Sequence, residues 1–457
     1  MKRWKELTKT ILLNVLVILS FLLTFMLWNK QPKFEFISPA TYVTSNQIGQ
    51  AMEMEDLIMP EAIIFHYGND KHTKATNRDA MYRIMRNQMA KWYFSDFTPV
   101  SLTRLKWEAI AQEKMGLEIT YRSTVPVSVM NQLFTFHDEI NEIQGIDRIW
   151  LYYEETEDTV FALFISNEEQ RILRARTAVN VKDLRDSYLR LGATLPEQIA
   201  KVYEEEKEPV RYNNYAFWNV YYVPKGSIRM KQYHYNYLPI TDQQLIQSFF
   251  LDPTLVKQVV ERDDTTIFTD GSRSIQIRPN QQTLTFTNPA LQQGDDQLTE
   301  DDKLQGVISF INVHLGWTDD YQLEQIEARS DGTEQYVFRQ YLDSFPLISD
   351  AQTADVISVT SEKGHVVSLK RSLIDFDTHF YEKDWVLMSG HELFNLLRER
   401  HTDVGSIRNI YLAYHMKLKQ GYVELIPSWV IQKATGKDLI IDARSQTQGG
   451  GRVNGLE

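Results

Sequence analysis

An uncharged run from Thr10 to Asn29, with ILLNVLVILSFLLTFMLW at its centre (Ile11–Trp28), constrains this chain more than any other feature. At about 1.5 Å rise per residue, roughly 20 helical residues span about 30 Å, the thickness of a bilayer's hydrocarbon core. The stretch before it carries Lys2, Arg3, Lys5 and Lys9 against a single Glu6. The bias of basic residues toward the inner side predicts a cytoplasmic N-terminus, so the bulk of the chain lies outside the cell membrane in a single-pass arrangement. A stub of residues 1–9 cannot house a kinase, a nucleotide site or a DNA-binding module. Influence across the membrane must then pass through residues 10–29. A cleaved signal peptide would need a shorter apolar core and small residues before the cut. Here the core ends in Phe25, Met26, Leu27 and Trp28, with no A-x-A pattern. The absence of cysteine also removes any lipid-attachment residue.

Composition describes the outer part. With 43% hydrophobic and 12% aromatic residues, the remainder can build real cores, and its length predicts two or three domains. A formal charge of -12 argues against nucleic acid or anionic lipid as a partner, because both need a basic face. A disulfide framework is excluded by the lack of cysteine, which fits a large bacterial ectodomain that relies on core size.

The pattern along the chain predicts an α+β fold: mainly antiparallel sheets with isolated helices, following the single membrane helix. EAIIFHYG (Glu61–Gly68) has the apolar run of a buried strand, and a helix is expected over 78–94, with Met81, Ile84, Met85, Met89 and Trp92 at helical spacing. IDRIWLYY, TVFALFIS and QRILRART read as strands, and NVKDLRDSYLRL as a helix. The charge run YEEEKEP (Tyr203–Pro209) marks a boundary. Beyond it, AFWNVYYV and SIRMKQYHY alternate like paired strands, and Thr241–Phe250 is helical in pattern. Asp252 is placed to cap Pro253, and Asp270-Gly271 sits between alternating runs as a hairpin turn. A helix over 301–315 is followed by strands, with Lys363-Gly364 as a turn, then a helix over 390–400 and strands NIYLAYHM and YVELIPSWVI. The expected domains are residues 30–205, 206–300 and 301–445, with a disordered tail over 446–457.

A search for catalytic constellations returns one near miss. His391-Glu392 with His401 has the outer spacing of the long zincin motif, but Asn395 and Arg398 occupy the second-ligand and glycine positions. A capping box between Ser389 and Glu392 accounts for the same residues. The adjacent acidic pairs Asp263-Asp264, Asp295-Asp296 and Asp301-Asp302 cannot face one another across a cleft as glycosidase carboxylates must. No G-x-S-x-G, P-loop or G-x-G-x-x-G occurs. Tyr215–Tyr222 with Tyr233, Tyr235 and Tyr237 could line a sugar or peptide groove, but aromatic strand residues covering a half-buried sheet are the favoured explanation, since aromatics are enriched in strands anyway. No enzyme activity, metal or cofactor is expected.

Recognition remains, and the anchor offers a face for it. At about 100° per residue, Thr10, Asn14, Ser20 and Thr24 fall within an arc of roughly 120°, with Val17 near its centre and Phe21 inside it. Small and polar side chains on one side of a membrane helix favour packing against another helix, where the Asn14 amide can be satisfied.

FFLDPTLV (Phe249–Val256), FTDGSRSIQI (Phe268–Ile277), FINVHLGW (Phe310–Trp317) and LIPSW (Leu425–Trp429), in that order behind a basic head and single anchor, resemble the YycH family over nearly the whole chain. The resemblance implies a non-enzymatic accessory protein of low-GC Gram-positive bacteria. Such a protein acts with its sister protein YycI on the membrane sensor kinase YycG (WalK), whose two-component system governs cell-wall metabolism. It further implies an N-terminal outer domain followed by two domains shared in topology with YycI, and a membrane helix that packs against those of the kinase. An extracellular module that binds a wall fragment is the alternative. A wall hydrolase is a third reading, which lacks a catalytic set.

Overall fold

The computed structural model describes residues 4, 12–17, 19–21, 48–101, 109–202, 220–279, 282–289, 298–350, 354–400, 402, 407–433 and 437–445. The chain divides into two compact units, Met1–Thr44 and Ser45–Glu457. In the first, residues 12–17 and 19–21 are helical and exposed. Among the described residues no helix is long and apolar enough to cross a membrane. Much of the expected span, including Thr10 and Thr24, lies outside the described residues, as do the boundary run 203–209 and the tail 446–457.

The second unit is α+β and dominated by antiparallel sheet. Its first sheet holds β1 (Ala62–Tyr67), β2 (His72–Ala75), β3 (Tyr93–Pro99), β4 (Met115–Pro126), β5 (Thr135–Phe136), β6 (Gly145–Glu154), β7 (Thr159–Ser166), β8 (Arg171–Thr177), β9 (Glu197–Val202) and β10 (Val220–Pro224). They lie in the order β10-β9-β2-β1-β4-β6-β7-β8-β3-β5, antiparallel throughout except for β3 beside β5. The apolar run of β1 follows from burial on both faces. Ile63 and Phe65 enter the main core, while Ala62 and Ile64 enter a second cluster with Trp150, Leu163 and Tyr222. The main-core face is covered by α1 (Met54–Leu57), α2 (Ala80–Met89), α3 (Val127–Leu133) and a π-helical turn, Asp183–Tyr188, that runs into α4 (Leu189–Gly192). The helix expected over 78–94 therefore stops at Met89. Phe94 has moved into β3, where its ring meets Phe164 edge-on at 4.9 Å.

The second sheet holds β11 (Arg229–Pro239), β12 (Lys257–Val260), β13 (Thr266–Thr269), β14 (Ser274–Arg278), β15 (Thr283–Thr287), β16 (Asp320–Ala328), β17 (Thr333–Leu342), β18 (Phe345–Ser349), β19 (Val356–Glu362), β20 (His365–Ser372), β21 (Ile374–Val386), β22 (Ile407–Leu418), β23 (Tyr422–Lys433) and β24 (Leu439–Asp442). The main path is β12-β13-β14-β15-β20-β19-β17-β18-β22-β23-β11-β21, with β16 on β17 and β24 on β23. Two helix-covered halves meet at the parallel pair β18–β22. On one half, α5 (Asp242–Phe249) and α6 (Glu300–Val313) place Leu245, Phe249, Leu304, Val307 and Ile311 against Phe286, Phe338 and Leu369. On the other, α7 (Gly390–Glu399) places Leu393 and Leu397 among Met230, Ile410, Leu425 and Trp429. The first half shares one apolar cluster with the first sheet, and β16 lies against β4.

Strand pairing cuts across the sequence blocks. β10 and β11, adjacent in sequence and read there as partners, do not pair. β10 returns to β9 in the first sheet, whereas β11 runs between β21 and β23, both beyond residue 300. In this position β10 is buried on both sides: Val220 and Tyr222 complete the second face of the first sheet, and Tyr221 and Val223 enter the α7 core. Its two faces thus belong to two different cores.

The chain entering this unit is clasped by distant residues. Gly49 N donates to Leu315 O (2.8 Å), and Gln50 and Trp317 exchange backbone hydrogen bonds of 2.8 and 2.9 Å. Asn312 holds both the N–H and the carbonyl of Met52 at 3.0 Å, and its Oδ1 also accepts from the Trp317 indole at 2.7 Å. Glycine is required on both sides, since a Cβ on Gly49 would run into the Trp317 backbone. Gly316 adopts φ +70° directly against Gly49.

Candidate functional site

Of the anchor residues singled out from sequence, Asn14, Val17, Ser20 and Phe21 are described. All four are helical and exposed. Of the zincin-like residues, His391, Glu392, Asn395 and Arg398 are described, and they lie on α7. Ser389 Oγ accepts the Glu392 N–H (3.4 Å), and the Glu392 carboxylate accepts the Ser389 N–H (2.7 Å), the reciprocal cap that starts α7. Asn395 accepts from Arg398, and His401 lies outside the described residues. No group of three or more potential metal ligands occurs among the described residues.

Of the tyrosines considered for a groove, Tyr215 lies outside the described residues, Tyr233 is buried, and Tyr235 and Tyr237 are half-buried. Tyr221 and Tyr222 are buried on opposite faces of β10, Tyr233 packs on Tyr414 at 6.0 Å, and Tyr235 stacks on Phe376 at 5.2 Å. A different aromatic set reaches solvent where β21 forms the end of the second sheet. His234 stacks on Tyr381 at 4.4 Å and lies 5.5 Å from Tyr422, and Phe380 meets Tyr422 edge-on at 5.6 Å. Phe380 is 57% exposed. An edge strand with free backbone groups beside exposed rings has the character of a contact surface.

Three buried polar clusters lie inside the second unit. The first occupies the second face of the first sheet, where strand register brings together residues far apart in sequence. His66 on β1 is paired with His72 on β2, and their Nδ1 atoms are 2.9 Å apart with both rings fully buried. The outer nitrogens face carboxylates: His66 Nε2 meets Glu118 Oε2 at 3.3 Å, and His72 Nε2 meets Asp70 Oδ1 at 3.1 Å. Arg148 reaches the other Glu118 oxygen at 3.2 Å, the Trp150 ring stacks on His66 at 4.8 Å, and the Tyr222 hydroxyl faces Glu118. Burial would raise the Glu118 carboxyl, but Arg148 and then His66 hold it below its usual value. Burial, reinforced by Glu118, pushes the Tyr222 hydroxyl well upward. His72 is lowered by burial and by His66, against the pull of Asp70. Along the sequence these histidines show no metal-ligand spacing. The available signal was the six-residue interval across the turn Gly68-Asn69-Asp70, all at positive φ, which sets His66 opposite His72.

The second cluster centres on Arg339, which pairs with Glu324 and Asp355 and donates to Leu347 O at 2.9 Å, while Asp355 also accepts the Ser349 N–H at 3.0 Å. The third holds Asp319, Asp375 and Arg371 beside the Gly316 turn. Arg371 Nη1 donates to Gly316 O (2.7 Å) and Gln340 Nε2 donates to Asp319 Oδ2 (2.6 Å). Burial, with Asp375 and Asp320 adding to it, raises Asp319 to about 7.

Residues 6–187 match the YycH protein N-terminal domain, and residues 219–442 match the YycH protein C-terminal domain. The chain is 22% identical over 454 residues to the two-component system WalR/WalK regulatory protein YycH of Bacillus subtilis strain 168, covering 95% of each chain. Its fold matches the crystal structure of YycH from Bacillus subtilis with a TM-score of 0.66 at 20% identity, over 86% of this chain and 98% of that one. With family matches on both sides of residues 188–218 that together cover most of its length, this chain belongs to the YycH family.

Proposed function

We propose that this chain is a membrane-anchored, non-enzymatic regulator of a WalR/WalK (YycF/YycG) two-component system that controls cell-wall metabolism. The carrying observation is its collinear match, over 95% of both chains, to a protein named as the regulator of that system. In this reading residues 10–29 form a single membrane helix with the N-terminus cytoplasmic and the sheets outside the cell. The helix docks beside those of the kinase through Thr10, Asn14, Val17, Ser20, Phe21 and Thr24, and the outer part binds YycI. Packing of this kind shifts a two-state kinase by its difference in affinity for the two states, and about 1.4 kcal/mol gives tenfold.

The test is Asn14→Leu combined with Thr24→Leu in the full-length protein. Interhelical hydrogen bonds in membranes contribute about 0.6 kcal/mol each, so losing two predicts a several-fold drop in co-purification with the kinase and in regulation of its output. Wild-type values of both would overturn the helix-packing reading. The exposed rings at Phe380 and Tyr381, beside the half-buried Tyr422, favour a second reading, an extracellular module whose ligand gates the complex. Deleting the outer part then abolishes regulation, whereas helix packing predicts that a tethered anchor retains some.

A further inference from the structure

We propose that β12, an open edge of the second sheet, pairs with β12 of a second copy of this chain, antiparallel and in a two-fold register centred on Val259. Among the described residues β12 pairs with β13 alone, and every residue along it is exposed. Apolar exposure is concentrated beside it. Of the ten large apolar side chains exposed among the described residues of the second unit, Leu251, Leu255, Val259 and Val260 fall in the short stretch 251–260. Single exposed apolar residues are ordinary, whereas a cluster of them on an open strand marks a contact. The opposite end of the sheet is a different kind of edge. There the pairing of β21 with β11 slips between His234 and Tyr235 and again between Tyr235 and Tyr237, and such irregularity discourages strand addition. β12 keeps an unbroken register on β13, from Lys257–Thr269 to Val260–Thr266.

The direction of the backbone groups decides which residues can bond. Glu261 N donates to Thr265 O (2.8 Å), one pair beyond Val260–Thr266. In an antiparallel ladder alternate residues turn both backbone groups to the same neighbour. Lys257 and Val259 therefore face β13, and Gln258 and Val260 face the open side. A two-fold axis through a new antiparallel pair sets one residue against itself. Centred on Val259, it places Gln258 of each copy opposite Val260 of the other, so the outward groups of both residues are met.

Side chains favour the same register. Val259 meets Val259 of the second copy in the close, non-hydrogen-bonded position, and Ile267, opposite Val259 on β13, extends the apolar strip on each side. Lys257 falls opposite Glu261 on both sides of the axis, so an opposite-charge pair flanks the valines at each end. Centring on Gln258 would set Lys257 against Val259, and centring on Val260 would set Val259 against Glu261. Both leave a charge against valine. A strand of four residues is far smaller than the roughly 20–30 residues a side of a standard interface, so the association is reversible and concentration-dependent.

The chain has no cysteine, so an introduced thiol reports a single position. Full-length protein carrying Val259→Cys, purified in detergent and oxidised with copper phenanthroline, is expected to give a covalent dimer on a non-reducing gel. The facing Cα atoms would be about 4.5 Å apart, within disulfide reach. In Gln258→Cys or Val260→Cys the facing thiols belong to residues about 8 Å apart, so each variant alone should stay uncrosslinked. Mixing the two should restore the crosslink. Charge reversal gives an independent reading: Lys257→Glu is expected to slow crosslinking of Val259→Cys by about tenfold, and adding Glu261→Lys to recover it. The absence of a dimer with Val259→Cys would overturn the proposal, as would efficient crosslinking of Gln258→Cys or Val260→Cys alone. A rate indifferent to both charge changes would do the same. Oxidation of the Val259→Cys chain in cell membranes, with the adduct identified by mass, separates a second copy from a foreign strand, and capture of a foreign protein alone would also overturn it.

Discussion

Asp319→Asn isolates the cost of keeping a carboxyl in the Gly316 turn. Asp319 is raised from 3.8 to about 7 by burial, then by Asp375 and Asp320, against the Gln340 hydrogen bond and Arg371. The folded protein therefore holds this proton over a pH range in which the unfolded chain has released it. Stability from the group is complete below about 3.8 and is lost as pH climbs to about 7. A displacement of about 3 units at about 1.36 kcal/mol each gives an upper bound of about 4 kcal/mol. Sharing of the titration with Asp375 reduces the expected effect to about 2–4 kcal/mol. Asparagine keeps an oxygen that can accept from Gln340 Nε2 and never ionises. Urea unfolding followed by fluorescence of the buried Trp317, two residues away, reads the local transition. The variant and wild type are expected to match near pH ~4, with the variant pulling ahead by about 2–4 kcal/mol near pH ~8. A stability difference that is the same at both ends of the range would refute the burial argument.

Two further substitutions probe the framework. Arg339→Leu leaves the buried Asp355 and the half-buried Glu324 without their cation and is expected to cost about 3–5 kcal/mol, measured as a lowered urea midpoint at neutral pH. Gly49→Val cannot keep the Leu315–Trp317 clasp, because its Cβ meets the Trp317 backbone. Limited proteolysis should then cut near residues 48–52 while the first sheet stays protected, and an unchanged digest would contradict the clasp.

Local chemistry was legible wherever it depends on a few neighbouring residues. Lys363 and Gly364 both sit at positive φ in a two-residue turn between Glu362 and His365, and Thr241–Gln244, Thr299–Asp302 and Ser389–Glu392 each form reciprocal caps. Asp252 caps the short 3-10 turn that opens on Pro253. Asp270-Gly271 was only partly legible. The loop spans four residues between Thr269 and Ser274, Gly271 alone of that dipeptide has positive φ, and Asp270 closes it by accepting the N–H groups of Ser272 and Arg273. What stayed hidden depends on distant pairing. Nothing near β10 says that it will join β9 rather than β11, because both choices bury its alternating residues. The first buried cluster combines residues 66, 72, 118, 148 and 222, and only the sheet order makes them neighbours.

The grip of residues 315–317 on residues 49–50 also bears on assembly. A chain emerging from its N-terminus presents residues 49–50 early, yet the residues that secure them emerge some 265 residues later. Until then the intervening chain hangs as a slack leash, and the leash tightens only after all of the first sheet and the strands β11 to β15 of the second have been synthesised. Chains released before that point would lack the clasp altogether.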